Sequence, residues 1–266
     1  EKIRPVLMIN KVDRNILELQ EDGEAIYQRF VKVIDLVNVT VSAYEHPDMG
    51  DLTLHPSLGN VAFGAGKDCW GFTLTKFARI YSQKFGISEA KLREKLWGDN
   101  YFDPETSKWT TEPISASGKP LTRGFVKFIM DPVIKLTKTI MEGSTEQIDK
   151  AIAQVNVQLT KSERELTGKA LLKSVFSKWM DCADCLLEMC ILQLPSPKVA
   201  QRYRAAYLYE GPQDDQCAQA IKNCDPKGPL MIYVSKMIPS QYKERFYAFG
   251  RVFSGTVFPG QKVRIM

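Results

Sequence analysis

Asn10-Lys11-Val12-Asp13 closes a short apolar run, Pro5-Val6-Leu7-Met8-Ile9. Its side chains offer the groups that a guanine ring needs. The base presents two donors on one edge, N1–H and N2–H₂. An ionised Asp13 carboxylate is an acceptor-only group with two oxygens and can take both. Adenine carries no matching donor pair there and would leave the carboxylate desolvated and unpaired. Hydrogen bonds to charged groups contribute about 1.5–3 kcal/mol each. A buried polar site can reject a mismatched ligand by a factor of about 10⁴ or more. Asn10 can fix the loop or meet N7/O6 of the base, and the Lys11 stem can lie along the ring face. A solvated turn after a strand is the other reading of the same four residues. The strand before them and the helix after them favour the guanine reading.

The elements that must position these groups follow from the hydrophobic pattern. An apolar run closed by polar residues predicts a buried strand over 5–13 with its working end at the carboxyl edge. That edge is where open α/β sheets bind ligands. Ile16, Leu17, Leu19, Ile26, Phe30, Val33, Ile34 and Val37 recur at three and four, which predicts a helix. Val39 to Tyr44 reads as a strand or an irregular extension, and Glu45 to Gly59 as loop punctuated by Pro47, Gly50 and Pro56. Asn60-Val61-Ala62-Phe63 predicts a second short strand, ending in Gly64-Ala65-Gly66-Lys67. That turn is not a phosphate loop. The pattern G-x-x-x-x-G-K-[ST] needs Gly and Ser/Thr where Val61 and Asp68 stand.

Further on, helices are predicted over Leu74–Phe85 and Glu89–Leu96, then an aromatic, turn-rich stretch from Trp97 to Trp109 and an exposed turn over Ser115–Pro120. A helix over Phe125–Met141 must be kinked or split by Pro132. Ser144-Thr145-Glu146-Gln147 can open the next helix through a polar cap. Thr167–Trp179 and Asp184–Leu194 are helical in pattern, and Pro195-Ser196-Pro197 ends the latter. After Ala205 the character changes to strands and tight turns, with strands over Leu230–Met237, Tyr247–Val257 and Gly260–Ile265.

Composition narrows the class. The chain has 266 residues, 44% hydrophobic and 25% charged, which suits a globular protein of more than one domain. The net charge of +5 is mildly basic, and a solvated mixed surface is the better reading of most of these charges. No apolar stretch approaches the roughly 20 residues of a membrane span. No signal peptide is visible, and the absence of an initiator Met suggests an internal piece of a longer protein. Cys182-x-x-Cys185 could suggest metal or redox chemistry. It lies in a helical pattern with no second Cys or His pair nearby, so buried small apolar positions are the better reading. Cysteine usage fits a reducing cytoplasm. His46 and His55, the two histidines, read as surface loop residues.

Asn10-Lys11-Val12-Asp13-Arg14 followed by Leu17-Glu18-Leu19-Gln20 resembles the guanine-specificity element of the eukaryotic translation elongation factor 2 family. The resemblance continues in order through Gly59-Asn60-Val61-Ala62-Phe63-Gly64, Trp97-Gly98-Asp99 and Glu165-Leu166-Thr167-Gly168-Lys169. It then covers Leu194-Pro195-Ser196-Pro197, Tyr209-Glu210-Gly211-Pro212, Lys222-Asn223-Cys224-Asp225-Pro226 and Phe246-Tyr247-Ala248-Phe249-Gly250-Arg251-Val252. The spliceosomal and ribosome-maturation GTPases of the same superfamily are related in plan, but this match also runs through the insert and linker.

The resemblance implies a multi-domain chain: a partial α/β P-loop-type GTPase domain with an α+β insert, followed by the start of a β-barrel. Residues 1–70 would be the C-terminal half of the GTP-binding domain and 71–180 the insert. Residues 181–197 would be its closing helix and linker, and 198–266 the start of the barrel. The implied activity is GTP-dependent ribosomal translocation in the cytoplasm, with GTP/GDP and Mg²⁺ as cofactors. Ribosomal RNA and stalk proteins are the implied partners, with no DNA and no membrane. The implied nucleotide-binding residues are Asn10, Lys11, Asp13, Ala65, Gly66 and Lys67, with the Gly66 N–H as donor to guanine O6. Ala65 stands where the family commonly has Ser, and Lys67-Asp68-Cys69 where Leu-His-Gly is expected. Losing the Ser hydroxyl removes a bond of about 0.5–1.5 kcal/mol that would orient Asp13, which implies weaker positioning. Hydrolysis needs a phosphate loop, a magnesium-binding Thr or Ser and a group positioning water. None is visible, and in the family these precede this segment. No catalytic residue and no metal ligand is therefore assigned, and the piece is expected to be inactive by itself. A binding module docking on ribosomal stalk proteins or RNA is the alternative reading.

Overall fold

The computed structural model describes residues 2–44, 47–242 and 244–265. Its elements begin with Leu7–Ile9 (β1), Val12–Leu17 (α1), Gly23–Ser42 (α2), Val61–Ala65 (β2) and Trp70–Phe72 (β3). Then come Leu74–Phe85 (α3), Glu89–Lys95 (α4), Tyr101–Asp103 (β4), Lys108–Thr110 (β5) and Thr122–Arg123 (β6). Asp131–Glu142 (α5), Thr145–Gln154 (α6), Lys161–Arg164 (α7), Gly168–Trp179 (α8) and Cys182–Gln193 (α9) follow. The last elements are Pro197–Leu208 (α10), Gln216–Asn223 (α11), Met231–Pro239 (β7) and Phe246–Ser254 (β8).

β1 and β2 pair in parallel, with Leu7 opposite Val61 and Ile9 opposite Phe63. A parallel pair needs a crossover connection, and α1 and α2 lie within it. β3 returns antiparallel to β2, giving the order β1-β2-β3. β2 is buried along its length because both faces are covered. Val61, Phe63 and Ala65 join the main core with Phe30 and Ile34 of α2, while Ala62 packs with Cys185 and Met189 of α9. Gly64 permits the close approach of β3: a Cβ there would lie 2.3 Å from the Trp70 carbonyl oxygen.

The core continues without a break past position 70. The Phe63 ring lies 4.7 Å from Phe30, 5.7 Å from Trp97 and 5.5 Å from Phe125. A second small sheet, β5-β4-β6, is tied to the start of α2 by Arg123. Its Nε donates to both Glu24 carboxylate oxygens at 3.2 Å, and its Nη1 donates to Gly98 O at 2.6 Å and Asp99 Oδ1 at 2.8 Å. The guanidinium also lies 4.3 Å over the Tyr27 ring.

Several sequence expectations are corrected here. The helix expected from Ile16 to Val37 is two helices, because Asp22 caps a new one by accepting from Ala25 N–H at 2.8 Å. The strand or irregular extension considered at Val39–Tyr44 is helix through Ser42. β-branched residues disfavour helix by only a few tenths of a kcal/mol. Asn38 meanwhile fastens this end to Leu54, accepting from its N–H and donating to its carbonyl. The first strand is shorter than 5–13, since Val12 already begins α1. The Trp97–Trp109 stretch holds β4 and the start of β5, paired antiparallel. The helix expected over Phe125–Met141 carries its irregularity just before the proline: a π-helical turn over Val126–Met130 leads into α5, with Pro132 in its first turn. Ser144 and Gln147 make the expected reciprocal cap. The helix at Leu74–Phe85 is as expected.

The main unit comprises Pro5–Ala43 and Thr53–Leu194; a second comprises Glu1–Arg4, Tyr44–Leu52 and Pro195–Met266. In the second, the end of α10 and all of α11 lie after Ala205, where the sequence pattern predicts strands and tight turns. Pro197 sits in the first turn of α10, where its missing N–H costs nothing, and Asp215 caps α11. Ala205, Ile221 and Phe253 form a small core. Gln201 is buried there and donates to Ile221 O at 2.5 Å and Phe253 O at 3.0 Å. β7 and β8 form an antiparallel hairpin with two register shifts, exposed along most of both strands. Gly260–Ile265, expected as a further strand, is not one among the described residues.

Candidate base-binding site

The two turns singled out in the sequence meet at the carboxyl ends of β1 and β2. Asn10 follows β1, and Gly66 follows β2. Asn10 Oδ1 accepts from Lys11 N–H and from Gly66 N–H, both at 2.8 Å. One amide oxygen thus joins turns 56 positions apart. This leaves Asn10 Nδ2 as a donor on an exposed side chain. The Gly66 N–H expected to serve guanine O6 is already engaged by Asn10.

Lys11 is exposed and left-handed, with φ 68°, at the entry to α1. Asp13 is half-buried in the first turn of that helix. Burial raises its carboxyl above the ordinary 3.8, and the nearby Asp68 charge adds to this. The N–H groups of Asp13 and Arg14 and the Arg14 charge oppose the shift. Ala65 is the buried last residue of β2, opposite Trp70. Gly66 and Lys67 lie exposed in the 3₁₀ turn Gly66–Asp68.

All six residues expected at the site therefore lie on these two turns or their flanks. Asp68 was not anticipated. The only signal for it was its place in the Lys67-Asp68-Cys69 departure from the family pattern, which gives no hint that its charge reaches Asp13.

Of the two histidines, His55 lies in the described residues. His55 Nδ1 lies 2.6 Å from Ser57 Oγ, and burial pushes its ring below the ordinary value. His46 lies outside the described residues. Among the described residues no His, Cys, Asp or Glu group is arranged to hold a metal ion, and the cysteines are free thiols. No helix among them is long and apolar enough to cross a membrane. No family model matches the chain.

Proposed function

We propose that the chain binds a guanine nucleotide at the Asn10–Asp13 and Ala65–Lys67 turns, as part of a GTPase of ribosomal translocation. The observation carrying this reading is the shared hydrogen bond of Asn10 Oδ1 with Lys11 and Gly66. It joins the turn that leads into Asp13 to the turn that holds Gly66 at one end of a parallel strand pair, which supports a site for a base with adjacent donors and an acceptor. Asp13 would accept from N1–H and N2–H₂, Asn10 Nδ2 would donate to N7/O6, and the Lys11 and Lys67 stems would flank the ring. The likeness to the elongation factor 2 family adds GTP as the substrate, Mg²⁺ as its companion ion, the ribosome as the partner and the cytoplasm as the compartment. No residue described here is assigned to the phosphates or to the ion. Isothermal titration with GDP, ADP and XDP tests the reading. Measurable GDP binding with ADP and XDP at least tenfold weaker is expected; equal affinity for GDP and ADP would overturn it.

A second reading, as a ribosome-binding module, is favoured by one observation. A groove of about 870 Å³ has a partly apolar floor of Phe77, Ile80, Leu136 and Trp179. Lys76, Lys84 and Lys135 line it, and none of them has an ion-pair partner among the described residues. Such a surface suits an acidic stalk protein or RNA. Co-sedimentation with ribosomes, with and without Lys76→Glu and Lys84→Glu, separates this reading from nucleotide binding.

A further inference from the structure

Cys69 ends the Gly66–Asp68 turn, and Cys182 opens α9. The two face each other across a short antiparallel bridge. Trp70 lies opposite Asp181, Gly71 N–H donates to Met180 O at 2.9 Å, and Cys182 N–H donates to Cys69 O at 3.1 Å. Cys69 and Cys182 are thus neighbours across the end of this bridge, Cys69 in the left-handed conformation and Cys182 at the start of the helix. The hydrogen bond between them holds the two cysteine backbones side by side, and a disulfide needs Cα atoms about 4.4–6.8 Å apart. Gly71, two positions on from Cys69, leaves room above the bridge. A Cβ built there would lie 3.7 Å from Cys182 Sγ. Cys69 is exposed and Cys182 half-buried. The third thiol of the cluster, Cys185, is buried and pushed up to about 12, chiefly by that burial.

We propose that Cys69 and Cys182 are a thiol pair that closes to a disulfide, fastening the Gly66–Asp68 turn to the start of α9. The co-reactant is a small disulfide such as oxidised glutathione. The exposed Cys69, as thiolate, attacks one glutathione sulfur and forms a mixed disulfide, expelling glutathione thiolate. The Cys182 thiolate then attacks the Cys69 sulfur and expels the second glutathione. Two protein thiols lose two protons and two electrons, and one glutathione disulfide becomes two glutathiones. Burial and the Asp181 charge raise the Cys182 thiol, so the second step quickens with rising pH. Cys185 holds almost no thiolate at neutral pH and is not the first nucleophile.

Peptide mapping of the folded protein after treatment with oxidised glutathione tests this, and its outcome does not depend on nucleotide binding. The expected result is a Cys69–Cys182 cross-link, reversed by dithiothreitol, lost in Cys69→Ser and retained in Cys185→Ser. Because Cys69 is exposed, Cys69→Ser is expected to fold; its unchanged circular dichroism checks that. A stable glutathione adduct on Cys69, a Cys182–Cys185 cross-link or no reaction would each overturn the proposal.

Discussion

At the scale of the residue, Asp13 carries two opposed demands. Ionised, it is the acceptor that a guanine edge needs. The fold resists that ionisation through burial and the Asp68 charge. A carboxyl raised in the folded state contributes stability below its ordinary 3.8 and loses it as pH climbs through the folded value. At neutral pH the Asp13 charge therefore works against the stability of the fold. Asp13→Asn is expected to raise the urea midpoint of the nucleotide-free protein while turning preference from GDP to XDP, whose C2 carbonyl accepts from the new amide. A lower midpoint together with retained GDP preference would remove Asp13 from the site. GDP affinity is also expected to fall on acidification at a higher pH than an ordinary aspartate would give, as titrations at fixed ionic strength would show. Asn10→Ala strips the acceptor from two backbone amides. Water can replace it at this exposed position, so stability falls by only about 1 kcal/mol, while GDP binding falls by a larger factor in calorimetry.

At the scale of the element, the approach to α5 joins local chemistry to packing. Pro132 has no N–H, so the Phe128 carbonyl four positions earlier loses its helical donor. The π-turn over Val126–Met130 widens the backbone there, and the Tyr81 hydroxyl donates to Phe128 O at 3.0 Å. Tyr81→Phe is expected to cost about 1–3 kcal/mol by stranding a buried acceptor. In a Pro132→Ala background the restored N–H can serve that carbonyl, so the same change should cost less. A double-mutant cycle in urea measures the difference, and additive effects would rule out the compensation. From the sequence, Pro132 announced a disturbance but not its form, because the remedy is a tyrosine 47 positions before the Phe128 carbonyl. The same limit explains other departures. The Leu74–Phe85 helix and the Ser144 cap were legible because their signals are local. The fate of Val39–Ser42 was set by Asn38 reaching Leu54. The Asn-Lys-x-Asp run and the glycine turn were legible as types, whereas the Gly66 amide's engagement depended on a side chain from the other turn.

At the scale of the whole molecule, the main unit is held by a broad aromatic core and the second, among the described residues, by a small cluster of Ala205, Ile221 and Phe253 with Leu208, Tyr209 and Met231 packed on it. The second is expected to lose hydrogen-exchange protection at lower denaturant, and simultaneous loss throughout would contradict this. Its hairpin also exposes Tyr233, Val234, Met237, Phe246, Tyr247 and Phe249. Exposed apolar strands promote pairing between chains. Light scattering is expected to show mass rising with concentration, and Phe249→Lys to suppress the rise. A concentration-independent monomer would show that the hairpin does not self-associate.

The hydrogen bond from Gly66 to Asn10 has a consequence for how the site comes into being. Bringing together groups 56 positions apart costs about 3.6 kcal/mol of loop-closure entropy before any constant term. Helices α1 and α2 can gather locally, but β1 cannot find β2 until the chain between them has condensed. The two turns should therefore meet after the folding barrier has been crossed. Substitutions at Asn10 would then hasten unfolding and leave the folding rate nearly unchanged, so a nascent chain would join the two turns only as β1 docks on β2.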